Sequence, residues 1–599
     1  MKYPFISKFL LPVQSLRVPT EKLLQLFCFG IRLPDFHPGG FWRKRSVKKA
    51  VYPEPAVSPP ADFSEGEPVF SHDSGIHPGK SLKVRLSAQE GYTIAFTTNG
   101  KPPSLEDDSG LSEVEVVLTR GATGYLIENR DLMVYSGFPR YYLHDDPSLP
   151  SGIVLKAALC PRPGEMGETV TRVYFLTEDH ARLFPGCLVI SVAADPADLL
   201  DYEKGILATG AVYEAWKKTP EAKELTARGE QWGFQSNFTQ HGRAWEKPCL
   251  VHIYDGGQAP AAELKAGIRV TGNASRGENQ KSFNIYFRKS YGEKYLNYEL
   301  FEGVRRYKSI RMTNGGSNAQ WLKFKDGFLK ELVSDRHFAA ASSRPAVLFL
   351  NGEYWGPYLL TEKVTAKMLG DHFSVRKSQV ILVKEGQLKE GKEEDMVLYR
   401  DLMSFAEKDL ADPLVWEQFC ALMDIRSLAD YCATRIYFGD FDWYQNKNDL
   451  LWRTRDRSFN EGRWQYILYD TDYSSGLYGN EETAPETDHF SLARKRYPLF
   501  DAALRNREFR MLFLNSLREI GEVNCSYKRV RSLMAAYEKA WKPLMQDYYR
   551  RFGHVGHRWI FARSLTLRFF RKRYDLLLPL AEKYCVQENF PRGQAKEEE

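Results

Sequence analysis

At 599 residues, with 43% hydrophobic and 27% charged side chains, the chain is globular, long enough for more than one core and far from the profile of a disordered polymer. Its 83 basic and 77 acidic residues leave a formal charge of +6, too small and too mixed a surplus to mark a nucleic-acid partner. Eight scattered cysteines without a CxxC pair speak against zinc or thioredoxin-type chemistry, and no apolar run reaches the roughly 18 to 20 residues of a membrane span.

Residues 1–67 are a basic, poorly patterned segment ending in the proline-rich linker "YPEPAVSPPADFSEGEP". The short apolar pieces near the N-terminus are broken by charge and lack a small-residue cleavage site, so no signal peptide is expected, and the compartment is left open. From 68 to 180 the pattern becomes short alternating runs, "KSLKVRLSA", "YTIAFTTNGKPP", "SEVEVVLTR", "SGIVLKAAL" and "ETVTRVYFL". Period-two alternation between turn residues predicts a small all-β, Ig-like sandwich. "GIHPGKS" at 75–81 imitates a phosphate loop, but it has one residue too few between its glycines and leads into a strand rather than a helix.

From 186 to 585 strand-like pieces come first ("CLVISV", "CLVHIYD", "AGIRVTG", "KSFNIYF", "PAVLFLNG", "YLLTEKV", "QVILVKEG") and helical patterns follow, with a charged tail at 586–599. A β-rich front and a helical back read as two lobes of an α+β unit. Helices are expected over "LKFKDGFLKELVSDRH", "DMVLYRDLMSFAEKDL" and the single run "PLVWEQFCALMDIRSLADYCATRIYF". Lys323, Lys325 and Asp326 read as a charged outer helix face, the basic runs "FWRKRSVKK" and "RFFRKRYD" as solvated, and isolated histidines such as His252 and His489 as surface or satisfied core residues.

Three constellations carry chemistry. "GDFDWYQNKNDLLWR" holds Asp442 and Asn448, and "WQYILYDTDYSSG" brings Asp470 and Asp472 directly after an apolar strand. Carboxylate and amide oxygens at the ends of adjacent segments suit a hard divalent cation, although either segment alone reads as a turn. "GIRVTGNASRGENQKSFNIYFRKSYG" combines a turn containing Arg276 with Lys281 at the start of a strand, and backbone amides beside a lysine can meet phosphate oxygens. In "RPAVLFLNGEYWGPYLLTEKV", Glu362 either faces solvent or pairs with a buried cation, and solvent is the plainer reading. Neither HExxH nor GxSxG occurs.

Together with "LVISVAADPADLLDYEKGI" and "AWEKPCLVHIYDGG", these motifs run in one order over about 190–520 and resemble the spore coat protein H (CotH) kinase family. Residues 68–178 look like the small β-sandwich found at the end of chitobiase-type enzymes. The first resemblance implies an atypical protein-kinase-like fold of two lobes and an ATP- and Mg²⁺- (or Mn²⁺-) dependent transfer of phosphate to serine of a protein substrate. It implies Asp442 as the group that orients the acceptor hydroxyl, and Asn448 and Asp470 as metal ligands, with Asp472 as a further one. It also implies Lys281 and Arg276 at the phosphates and Glu362 in a nucleotide-site or ion-pair role. The family loop carries paired asparagines, whereas here Lys447 separates Asn446 from Asn448. Anchoring on "LWR" favours Asn448, and anchoring on Asp442 leaves the choice open. The other reading is a kinase-like binding protein without turnover, its sandwich holding a polysaccharide or a protein partner.

Overall fold

A computed structural model describes residues 66–586, apart from 122–123, 136–142, 163, 180–182, 184–185, 231–232 and 554–555. The basic segment, almost all of the linker and the charged tail lie outside the described residues. The alternating runs form eight strands: β1 (Val69–Phe70), β2 (Gly75–His77), β3 (Ser81–Ser87), β4 (Thr93–Thr97), β5 (Ser109–Leu111), β6 (Glu113–Thr119), β7 (Gly152–Cys160) and β8 (Val170–Leu176). They make two sheets, β1-β3-β6 and β2-β8-β7-β4-β5, antiparallel except where β2 meets β8. Because successive side chains point to opposite faces, Val84, Leu86, Val116 and Leu118 of one sheet share a buried cluster with Ile94, Leu155, Leu159 and Tyr174 of the other. The phosphate-loop imitation is half strand, since its first three residues are β2, and it feeds β3 as expected.

The five-stranded sheet is buried on both faces. Ile76, Val154, Val173 and Phe175 join the main core of the rest of the chain, which explains why β7 is an unbroken buried run after its first two residues. The contact is close: the Gly152 amide donates to Gly352 O at 2.7 Å, and a Cβ on Gly352, itself at φ +79°, would lie 2.3 Å from Gly152 O. Phe175 stacks edge-on against Tyr254 and Phe349 at centroid distances of 5.7 and 4.8 Å. Phe175→Ala is therefore expected to destabilise the chain by about 3–5 kcal/mol, read as a lower urea midpoint. A change below about 1 kcal/mol would show that this seam contributes little to stability. The exposed large apolar side chains of this unit, Leu105, Leu111, Val117, Leu132 and Met166, are all aliphatic among the described residues.

The next strands are β9 (Leu188–Ala194), β10 (Lys247–Tyr254), β11 (Ala262–Thr271), β12 (Ser282–Tyr286), the hairpin β13 (Leu296–Phe301) and β14 (Val304–Tyr307), β15 (Ser309–Thr313), β16 (Ala339–Ala340), β17 (Ser343–Leu350) and β18 (Glu353–Glu362). Seven close into a barrel, β10-β11-β12-β15-β18-β17-β9, in which only β9 and β17 run parallel. Beyond it β19 (Val380–Lys384), β20 (Gln387–Glu390), β21 (Leu450–Thr454) and β22 (Gln465–Leu468) complete a second sheet in the order β16-β22-β21-β19-β20. The helix Ala366–Phe373 packs on that sheet through Met368 and Leu369.

The long helical run expected from 413 to 438 is two helices, Pro413–Leu422 and Ile425–Phe438. Asp424 breaks it, because its carboxylate accepts from the Ser427 amide and caps the second helix. The chain ends in helices that include Arg507–Glu519, Tyr527–Phe552 and His557–Cys585. Both strands and helices are abundant, so the chain is α+β.

Candidate functional site

The site forms where the C-terminus of Ile425–Phe438 meets the end of β22. Gly439, at φ +63°, ends the helix in the left-handed conformation that glycine adopts freely. The chain then delivers Asp440 and Asp442, passes a short turn, and enters β21 through Asn448 and Asp449. On the neighbouring strand β22 runs out at Leu468, and Asp470 follows with φ +51°, the left-handed region where aspartate is among the tolerated residues.

Arg435 ties these segments together. Fully buried, it pairs with Asp440 and donates to the carbonyls of Asn448 (3.0 Å), Tyr469 (2.6 Å) and Asp470 (3.2 Å). One guanidinium with a fixed fork of donors satisfies two converging loops that have left regular structure. The only sequence signal was an arginine inside the otherwise apolar stretch "YCATRIYF", and that reading missed it.

The carboxylates converge. Burial and then Asp470 push Asp472 well above the ordinary carboxylate range, with Asp326 and Asp442 adding to the effect. Burial likewise raises Asp442, and Asp470 raises it further while Lys447 opposes. Burial pushes Asp440 up to about 6 against the pull of Arg435. Asp470 acts against the charge of Asp440, Asp442 and Asp472 alike, so the region carries concentrated negative potential. Asn448 belongs to it: its amide nitrogen lies 3.5 Å from Asp470 O, and its backbone amide donates to Glu385. Lys447 Nζ stands 3.7 Å from Asp442 Oδ1 on the open side.

A second element missed by the sequence reading faces Asp472. The loop Asn314–Gly315–Gly316–Ser317 follows β15, and the Ser317 amide donates to Asp472 Oδ2 at 2.7 Å while Asn318 Nδ2 donates to Asp472 O. Gly316 has φ +55°, and a Cβ there would sit 1.9 Å from Asp472 Oδ2. Gly316→Ala is expected to displace Asp472 and lower any activity of this site by roughly tenfold or more, with urea stability changed by about 1 kcal/mol. Wild-type rates in that variant would dissociate the loop from the chemistry. The signal available in the sequence was the "NGG" triplet.

Lys323, Lys325 and Asp326 are not an outer face. Lys325 is buried with Nζ donating to Ser474 O at 2.5 Å, and burial lowers its pKa to about 7 although Asp472 and Asp440 pull upward. Asp326 accepts from the amide and hydroxyl of Thr471 and pairs with Lys330 at 2.6 Å, so it holds the strand end from beneath. Lys323 donates to Gln280 Oε1 and Asn314 O. Polar ends bound to carbonyls explain how such residues enter a core. For the same reason Arg573, in the run read as solvated, is buried and donates to the carbonyls of Ile436, Tyr437, Pro485 and Thr487. His252 and His489 are core residues: His252 is engaged through Nε2 alone, by Ser74 and Glu263, with its buried Nδ1 unpartnered among the described residues, and His489 is satisfied by Arg573 and Glu482 O.

Of the seven residues singled out, the structure brings Asp442, Asn448, Asp470 and Asp472 together. The charged ends of the other three are held by partners of their own, while the turn that carries Arg276 and Lys281 bonds through Ser275 O and Gln280 O to Asn314. Arg276 is buried, donating to the carbonyls of Gly272, Phe238 and Gln240 and contacting His241. Lys281 is buried with Nζ on Glu278 O at 2.7 Å and 3.6 Å from the Phe238 ring centroid, and desolvation lowers it to about 7. Glu362 is buried rather than solvated: it pairs with His372 at 2.9 Å and accepts from the Ser342 amide. Cations gather instead at Tyr469, where Arg311 Nη1 donates to the hydroxyl at 2.8 Å and Lys384 Nζ lies 4.6 Å from the ring centroid.

Among the described residues no three His, Cys, Asp or Glu side chains meet as a ready-made metal cage. The donor set of two aspartates and an asparagine amide nonetheless fits a hard cation that takes its remaining oxygens from substrate and water. No curated protein matches the chain. A family model described as CotH kinase protein matches residues 268–577, more than half of the chain and all of the elements that build this site, and the chain belongs to that family.

Proposed function

We propose that the protein is an ATP- and divalent-metal-dependent protein kinase that transfers the γ-phosphate to serine or threonine of a protein substrate. The observation that carries this reading is the convergence of Asp442, Asp470 and Asp472 in a chain of a kinase family. Phosphoryl transfer asks little covalent chemistry of the enzyme; it needs reactants held in line and charge neutralised. Asp442, half-buried and with its pKa raised by burial, orients the acceptor hydroxyl and takes its proton. Asp470 and Asp472 with the Asn448 amide would hold Mg²⁺ or Mn²⁺, which when bound supplies charge neutralisation at the phosphate oxygens. Arg435 fixes the carbonyls behind Asn448 and Asp470, so both side chains are positioned before substrate arrives. Arg311 and Lys384 at Tyr469 offer positive charge beside Asp470, a role the sequence reading gave to Lys281 and Arg276.

The test is incubation of the full chain with labelled ATP, Mg²⁺ or Mn²⁺ and a serine-containing peptide, with Asp470→Asn alongside. Absence of both label transfer and nucleotide binding would sink the reading and favour a binding protein without turnover.

Lys447 supplies a pH test. Its ammonium lowers the Asp442 pKa, so Lys447→Ala removes that pull and the pKa rises further. The base is active when deprotonated, so the acid limb of the kcat/KM profile should move to higher pH. A limb that stays in place, or moves down, would remove Asp442 from the role of base.

A further inference from the structure

Five aromatic rings form a continuous strip that starts at the acidic cluster. Phe441 precedes Asp442 and lies 6.1 Å from Tyr473, which follows Asp472. Tyr473 lies 6.3 Å from Tyr478, Tyr478 5.5 Å from Trp321, and Trp321 6.2 Å from Phe561, all between ring centroids. Tyr478 is 43% and Phe561 48% exposed, and Phe441, Tyr473 and Trp321 are half-buried, with Phe441 and Trp321 also packing against the main core, so the strip is a surface seated on that core. Arg558 closes its far end, its guanidinium 5.5 Å from the Trp321 centroid and bonded to Gln320.

The strip is built at a cost. Tyr478 has φ +58°, a left-handed conformation that is an outlier for a bulky side chain, and it is held there by its hydroxyl bond to Ser317 O. An exposed ring kept in a strained turn and tethered to the glycine loop that contacts Asp472 is not explained by core packing.

Resting on the kinase reading, we infer that this strip docks the acceptor polypeptide as an extended strand, with apolar or aromatic side chains at alternate positions beside the phosphorylated serine. Two observations select this occupant. Same-face side chains of an extended chain recur about every 6.6 Å, close to the ring-to-ring steps, whereas a nucleotide base would cover one ring and leave the others bare. The strip also begins at Asp442, the group assigned to the acceptor hydroxyl, while the cations suited to a polyphosphate gather at Tyr469.

The experiment measures binding without requiring turnover. A fluorescein-labelled peptide with one serine and tyrosines two and four residues to either side is titrated by anisotropy into the full chain, against a composition-matched peptide with its tyrosines contiguous. The alternating peptide should bind roughly tenfold tighter, and Phe561→Ala and Trp321→Ala should each weaken it about tenfold while leaving the Kd for MgATP unchanged. Tyr478→Asn, which tolerates the left-handed turn, should do the same without loss of fold. Equal affinity for the two peptides, or binding indifferent to all three substitutions, overturns the proposal. A weakened MgATP Kd with unchanged peptide binding assigns the strip to the nucleotide base and equally overturns it. If the peptides discriminate as expected but the wild type neither transfers phosphate nor binds MgATP, the docking surface stands and the kinase reading falls.

Discussion

Asp470→Asn is expected to reduce label transfer from ATP by on the order of 10³-fold while leaving the fold intact. The substitution keeps the shape of the side chain and removes its charge, and the structural bonds at this position, from Arg435 and Asn448, go to the backbone carbonyl of residue 470 rather than to its carboxylate. The urea midpoint should therefore stay near that of the wild type. Unchanged transfer would remove Asp470 from the metal site, and an unfolded variant would show that its side chain is structural.

The opposite pattern is expected for Arg435→Met. Losing the guanidinium leaves Asp440 buried without its partner and three carbonyls without their donor, a cost of about 3–5 kcal/mol in urea denaturation. Activity should fall with it, since the same bonds position Asn448 and Asp470. Adding Asp440→Asn should recover part of the stability, because the residual penalty is an uncompensated charge, but not the activity. A loss below about 1 kcal/mol, or full recovery of transfer in the double variant, would contradict the clamp role.

Much of the fold was legible because it rests on local periodicity. The alternating runs from 68 to 180 became strands, and the apolar pieces from "CLVISV" to "QVILVKEG" did too, since a period of two survives wherever one face is buried. The expectation of one helix over 413–438 failed for a local reason that the sequence also carries, an aspartate three residues before a serine, the spacing of a helix cap. The acidic part of the site was legible because aspartate and asparagine crowded against apolar strands are costly unless used.

Charged residues were misread where their partners lie far along the chain. Lys325 is paired with carbonyls about 150 residues away, Glu362, expected to face solvent, pairs with His372, and Arg573 binds carbonyls of the 436–437 and 485–487 segments. A sequence shows that a lysine or arginine is present, not whether a cluster of carbonyls waits for it.

The sequence by itself determined many of the strands, that the chain is α+β, and which two stretches carry the oxygen-bearing side chains, because propensity and alternation act over a few residues. Only the tertiary structure decided that Asp442 and Asp470 share one field, that Arg435 and the Gly315–Gly316 turn shape it, that the charged ends of Lys281 and Arg276 are bound to carbonyls, and that five separate aromatic residues make one strip. The reason is that barrel closure and the register of β21 against β22 bring together residues far apart in sequence, and electrostatics and packing depend on those distances rather than on position along the chain.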